Sequence, residues 1–143
     1  GQTGHTVYAT VHTTGVAATI RRMVSTFEPS ARSERAYSLM ETMRLIVTQT
    51  LVPKVGGGRV ALREYMPFTE EIRERMLNLT FDRWPFELMT MVPKYGKTME
   101  KSARDAYEAG LIEHRYYLLY AQGTKAAEEA LGIKKPDAEK EDE

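Results

Sequence analysis

The chain has 143 residues, no cysteine, and 20 Lys+Arg against 20 Asp+Glu, a formal net charge of zero. That length makes one domain, or part of one, with a core of its own, and the balanced charge speaks against a nucleic-acid-binding surface. The missing cysteines remove disulfides, thiolate metal sites and cysteine nucleophiles, and fit a reducing compartment.

No apolar run approaches the roughly 20 residues of a membrane span. The opening Gly1-Gln2-Thr3-Gly4-His5 has neither the basic nor the apolar region of a signal peptide. It reads as a chain cut just ahead of a strand. From Thr6 to His12, Val7, Ala9 and Val11 alternate with Thr6, Tyr8, Thr10 and His12, the period of a strand. This strand ends at His12-Thr13-Thr14-Gly15, and Val16, Ile20, Met23, Val24 and Phe27 then recur on one face of a helix. Polar groups at the carboxyl edge of a sheet, just before a helix, stand where ligands bind in open α/β folds.

Pro29 breaks that helix and Ser30 is placed to cap the next. Ala36, Leu39, Met40, Met43, Ile46 and Val47 form a helical stripe from Ala31 to about Thr48. Two β-rich runs, from Thr50 to Val55 and from Arg59 to Met66, are joined by Gly56-Gly57-Gly58 and predict a hairpin. Pro53 places its strand at an edge or bulge.

Thr69 caps a helix with Glu70 and Glu71 in its first turn and Ile72, Met76 and Leu79 inward. Asp82 is the expected cap of a segment with Pro85 near its start and Trp84, Leu88, Met91 and Val92 on one face. Thr98 opens another helix, with Met99, Ala103, Ala106 and Tyr107 inward and Gly110 closing it. Residues 113–121 carry Tyr116, Tyr117 and Tyr120 and read as helical; 124–132 reads as a short helix and 133–143 as a charged tail. The expected divisions are 1–66 (strand, two helices, hairpin), 67–132 (helices) and 133–143.

His12 leads the candidate site residues. An imidazole N–H can donate to a phosphate oxygen. Thr13 and Thr14 share its corner. Arg21 and Arg22 follow on the next helix, where one of them can reach a phosphate or a neighbouring subunit. No acid or second histidine stands at metal-ligand spacing to His12, so no metal site made of protein ligands is expected. Gly96-Lys97-Thr98 is not a phosphate loop. That motif needs Gly-x-x-x-x-Gly-Lys-Thr/Ser after a strand, whereas here Met91 occupies the first glycine position and Pro93 intervenes. Arg73, Glu74 and Arg75 read as the wet face of their helix.

Together these residues form a pattern. Gly4-His5, His12-Thr13-Thr14, Thr19-Ile20 and Arg22 resemble the His box of the secretion and pilus ATPases, which include PilT-like retraction motors and the traffic ATPases of type II and type IV secretion. Gln49, Leu51 and Pro53 fit the family's Gln-x-Leu-x-Pro strand entry, and Arg59-Val60-Ala61 with Glu64 fit the strand that follows. Glu71-Ile72-Arg73 falls at the Ala-Ile-Arg motif, although the continuation departs from PilT. Lys94-Tyr95-Gly96, Thr98, Arg104-Asp105 and Gly110-Leu111-Ile112 match the closing helix. Within the family the chain is most similar to the DotB and TraJ group of type IVB (Dot/Icm) secretion and conjugation.

The resemblance implies an α/β fold, the C-terminal portion of a RecA-like P-loop NTPase domain, helix-rich after the sheet strands. It implies a hexameric ring of ATPase subunits powering protein export, cytoplasmic and peripheral to the bacterial inner membrane. Its partners would be copies of itself and inner-membrane secretion components, with no direct nucleic-acid contact. His12 would be the catalytic histidine near the terminal phosphate. Thr13, Thr14 and Arg22 would join it in nucleotide binding. ATP and Mg2+ would be held mainly by residues this sequence lacks, so the chain alone is expected to be inactive. The contrasting reading is a non-enzymatic helical module that docks a secretion or pilus partner.

Overall fold

A computed structural model describes residues 6–121. Its elements run α1 (Val16–Ser25), α2 (Arg32–Thr42), β1 (Leu45–Pro53), β2 (Arg59–Pro67), α3 (Glu70–Leu77), a 3-10 turn (Phe81–Arg83), α4 (Trp84–Tyr95) and α5 (Met99–Glu108). Residues 114–121 are helical as well. The expected helix over 124–132 and the tail lie outside the described residues. Among the described residues, no helix is long and apolar enough to cross a membrane.

β1 and β2 pair antiparallel from Leu45↔Pro67 to Pro53↔Arg59. The glycine loop works as expected: Gly56, Gly57 and Gly58 all take positive φ, and the Lys54 N–H donates to the Gly58 carbonyl at 2.9 Å. Because side chains alternate, the register places Ile46, Thr48, Thr50 and Val52 on the inner face, opposite Met66, Glu64, Leu62 and Val60. The two ends of this face join separate cores. Ile46 and Met66 pack with α1–α4 around Trp84, Leu88, Met40 and Ile20. Val52 and Leu62 pack with Met99, Ala103, Ala106 and Ile112. Thr48 and Glu64 lie between them.

Capping follows the sequence closely at two helices. Thr69 accepts the Ile72 N–H at 3.3 Å and Thr98 accepts the Lys101 N–H at 3.0 Å. At the end of α5, Gly110 has φ 75°, with Gly110 N–H donating to Tyr107 O and Leu111 N–H to Ala106 O, a Schellman closure.

Elsewhere the structure corrects the expectations. Residues 6–13 form no strand, since no described neighbour supplies a ladder; Val7 and Tyr8 are 68% and 92% exposed. α2 stops at Thr42 because Met43 turns extended, and Ile46 and Val47 belong to β1. Their β-branched side chains suit the pleat, and Ile46 reaches the core by the strand's period rather than the helix's. Ser30 and Asp82 cap nothing: the N-cap residues are Ala31 and Arg83, and Asp82 sits within the 3-10 turn. Tyr107 is 40% exposed and stacks on Tyr117 (5.6 Å between ring centroids) instead of pointing inward. Arg73 leaves the wet face and donates to the carbonyls of Met43 (3.2 Å) and Phe68 (2.5 Å), holding α3 against the base of the hairpin.

Candidate functional site

The corner before α1 is held by hydrogen bonds from below. Gly15 takes φ 97° and ψ 152°, a region open to glycine. Its N–H donates to Thr48 Oγ1 at 3.2 Å, and the next amide, Val16 N–H, donates to Glu64 Oε2 at 2.6 Å. Thr48 Oγ1 also approaches the Glu64 carbonyl at 3.4 Å, so the opposed pair on the hairpin acts as one support. Thr19 Oγ1 donates to Gly15 O at 2.8 Å and stands 2.6 Å from Thr13 Oγ1. A hydroxyl carries one hydrogen. Thr19 gives its own to Gly15, so Thr13 is the donor in that pair.

The four predicted residues therefore divide. Thr13 is turned inward and buttresses the corner. His12, Thr14 and Arg22 are exposed, and no hydrogen bond or ion pair engages their side chains with another described residue. Arg22 is seven residues past Gly15, about two turns or 10 Å along the axis. The structure thus brings His12, Thr13 and Thr14 to one corner and sets Arg22 farther along the same helix.

The fit to a triphosphate is partial. Helix N termini attract anions, but at α1 the Gly15 and Val16 amides already hold Thr48 and the Glu64 carboxylate. What remains for a phosphate is the Ala17 and Ala18 amides and side-chain chemistry, the imidazole of His12 above all. Gly96-Lys97-Thr98 offers no cradle either. Lys97 pairs with Tyr65 through both backbone groups, its Nζ meets Asp105 at 2.9 Å, and Thr98 caps α5.

Thr48, Glu64 and Thr19 carry the corner, and none of the three is among the predicted site residues. A signal existed: Glu64 falls between Leu62 and Met66 on the period-two inner face, and Thr48 likewise between Ile46 and Thr50. A polar residue at a core position needs a partner.

No family model matches the sequence. The fold is similar to the crystal structure of the Legionella pneumophila ATPase DotB, with a TM-score of 0.82 and 41% identity over 86% of this chain and 34% of that one. It is also similar to the pilus retraction motor PilT solved with bound ADP, with a TM-score of 0.67 and 29% identity over 83% of this chain and 33% of that one. The type IV pilus retraction ATPase PilT of Pseudomonas aeruginosa is 43% identical over 72 residues, 50% of this chain and 21% of the relative. The chain corresponds to a C-terminal part of a PilT-like or DotB secretion ATPase. It spans between a fifth and a third of the length of these relatives. The described sheet is a two-stranded piece of the RecA-like domain. In this PilT-like chain Thr48 and Glu64 support the corner that carries His12, Thr13 and Thr14, and Arg73 serves the fold.

Proposed function

We propose that this chain is the His-box portion of a secretion-motor ATPase that couples ATP hydrolysis to protein export through a type IV system of the Dot/Icm kind. His12 is its nucleotide-facing group, donating to the terminal phosphate oxygen and marking its presence. Thr14 and Arg22, also exposed, are further polar contacts, and Thr13 fixes the corner. ATP and Mg2+ are held mainly by residues outside this chain; the metal supplies charge neutralisation on the phosphates. The subunit works in a hexameric ring in the cytoplasm, against inner-membrane components of the secretion machine.

The observation carrying this reading is the pinned corner: His12 is exposed while the residues just after it are fixed. Pre-set geometry is what a phosphate contact requires. The likeness to DotB, and to a PilT that binds ADP, supports the same assignment.

Two assays test it. The 143-residue chain alone is expected to show no magnesium-dependent ATP turnover; turnover lost on His12→Ala would falsify this division of labour. A chimera of the L. pneumophila ATPase DotB, its matching segment replaced by this chain, is expected to hydrolyse ATP. His12→Ala should lower its kcat by about a hundredfold, the scale of one lost transition-state contact. An unchanged rate would favour a docking module instead.

A further inference from the structure

We propose that Glu64 is a positioning residue for the His12 corner, a carboxylate clamp that ties the start of α1 to the start of α5. The proposal deepens the nucleotide reading and rests on it for its catalytic consequence.

The geometry is specific. Glu64 Oε2 accepts the Val16 N–H at 2.6 Å, and Oε1 accepts the Met99 N–H at 3.2 Å. Each oxygen thus serves the first turn of a different helix, two positive helix ends meeting one negative group. On the α5 side β2 holds two further points: Tyr65 pairs with Lys97, and the Arg63 N–H donates to Ser102 Oγ at 3.1 Å. α5 is therefore fixed to β2 independently of Glu64. Among the described residues, the hydrogen bonds by which the hairpin grips the corner on the α1 side come only from Glu64 and Thr48. A shift of α5 relative to α1 must stretch one of the two carboxylate bonds, so the position of the second core is transmitted to the residues after His12. α5 packs with Val52, Leu62 and Ile112 in that second core, whereas α1 packs with α4 in the first. Glu64 is the side chain that bonds across them.

Two measurements test the clamp. Amide hydrogen exchange on the 143-residue chain should show Val16 and Met99 both exchanging about tenfold faster in Glu64→Ala, the consequence of losing a charge-assisted bond. Glu64→Gln has one acceptor atom and should release at least one of the two amides. Thr48→Val keeps the strand's β-branched shape; it should release Gly15 and leave Met99 protected. Unchanged exchange at Val16 and Met99 in the Glu64 variants overturns the clamp.

In the DotB chimera, Glu64→Gln should lower kcat about tenfold with KM for ATP changed less than about twofold, and adding His12→Ala should bring little loss beyond that of His12→Ala alone. Losses that multiply show that Glu64 does not act through the corner, and overturn the positioning role. An inert His12→Ala overturns the nucleotide reading instead, and the clamp is then judged by the exchange rates.

Discussion

Gly96 lies so close to Tyr65 that a Cβ built on it would stand 2.0 Å from the Tyr65 carbonyl oxygen and 3.1 Å from its carbon. The backbone here is extended (φ −127°, ψ −142°), so it is space rather than conformation that requires glycine. The turn between α4 and α5 sits on the edge of β2, joined by two 3.0 Å bonds between Tyr65 and Lys97. Gly96→Ala has to push the turn off the strand. A stability loss of about 2–3 kcal/mol is expected, the range of overpacked sites, read as a lowered urea midpoint. A wild-type midpoint would mean that the turn is not seated on β2.

Gly15 is a different case. A Cβ there would stand 3.0 Å from Glu64 Oε2, the end of a side chain that can move, but φ is +97°. Gly15→Ala is expected to cost about 1–2 kcal/mol through backbone strain, and to lower ATP turnover in the chimera by displacing the clamp. Equal stability and turnover would show that the corner tolerates other backbone geometries.

Trp84 is fully buried, donates its indole N–H to Met76 O at 2.7 Å and meets Tyr37 edge-on at 5.4 Å. Trp84→Phe removes the bond and leaves a void, for an expected loss of about 2 kcal/mol; Trp84→Ala should lose about 3–5. Trp84 is the sole tryptophan, so unfolding must be followed by far-UV circular dichroism. A near-neutral Phe variant would place the ring outside the core.

Asp105 receives Lys101 at 2.6 Å and Lys97 at 2.9 Å. The hydrogen bond from Lys101, then that from Lys97, holds its carboxyl down from 3.8 to about 2. A carboxylate with a lowered folded-state pKa contributes stability above its unfolded value, and that contribution is lost as pH falls through the folded one. Its share should therefore be complete above about pH 4 and vanish toward pH 2, while Lys101→Met should move the Asp105 midpoint back up. Carboxyl-carbon NMR titration checks both; a wild-type midpoint near the ordinary value would show that the lysines do not hold the group.

Local features are legible in the residues alone: the caps at Thr69 and Thr98, the glycine hairpin, the closing Gly110 and the inward Trp84. Each depends on neighbours a few residues away, where backbone sterics and side-chain period decide the outcome. Even so, the 31–48 stretch went wrong, because Met43, Ile46 and Val47 fit a helical stripe as well as a strand until something packs against them.

The corner before α1 depends on packing. The segment before His12 has the alternation of a strand, yet a strand exists through its partner, and none of the described residues pairs with it. Thr13 turned inward, Arg73 bound two carbonyls, and Glu64 became the tie between two helix starts. Arg73 reaches Met43, and Glu64 reaches Val16 and Met99, groups distant in sequence. Desolvation makes that partner necessary, and chain topology alone determines which partner is near.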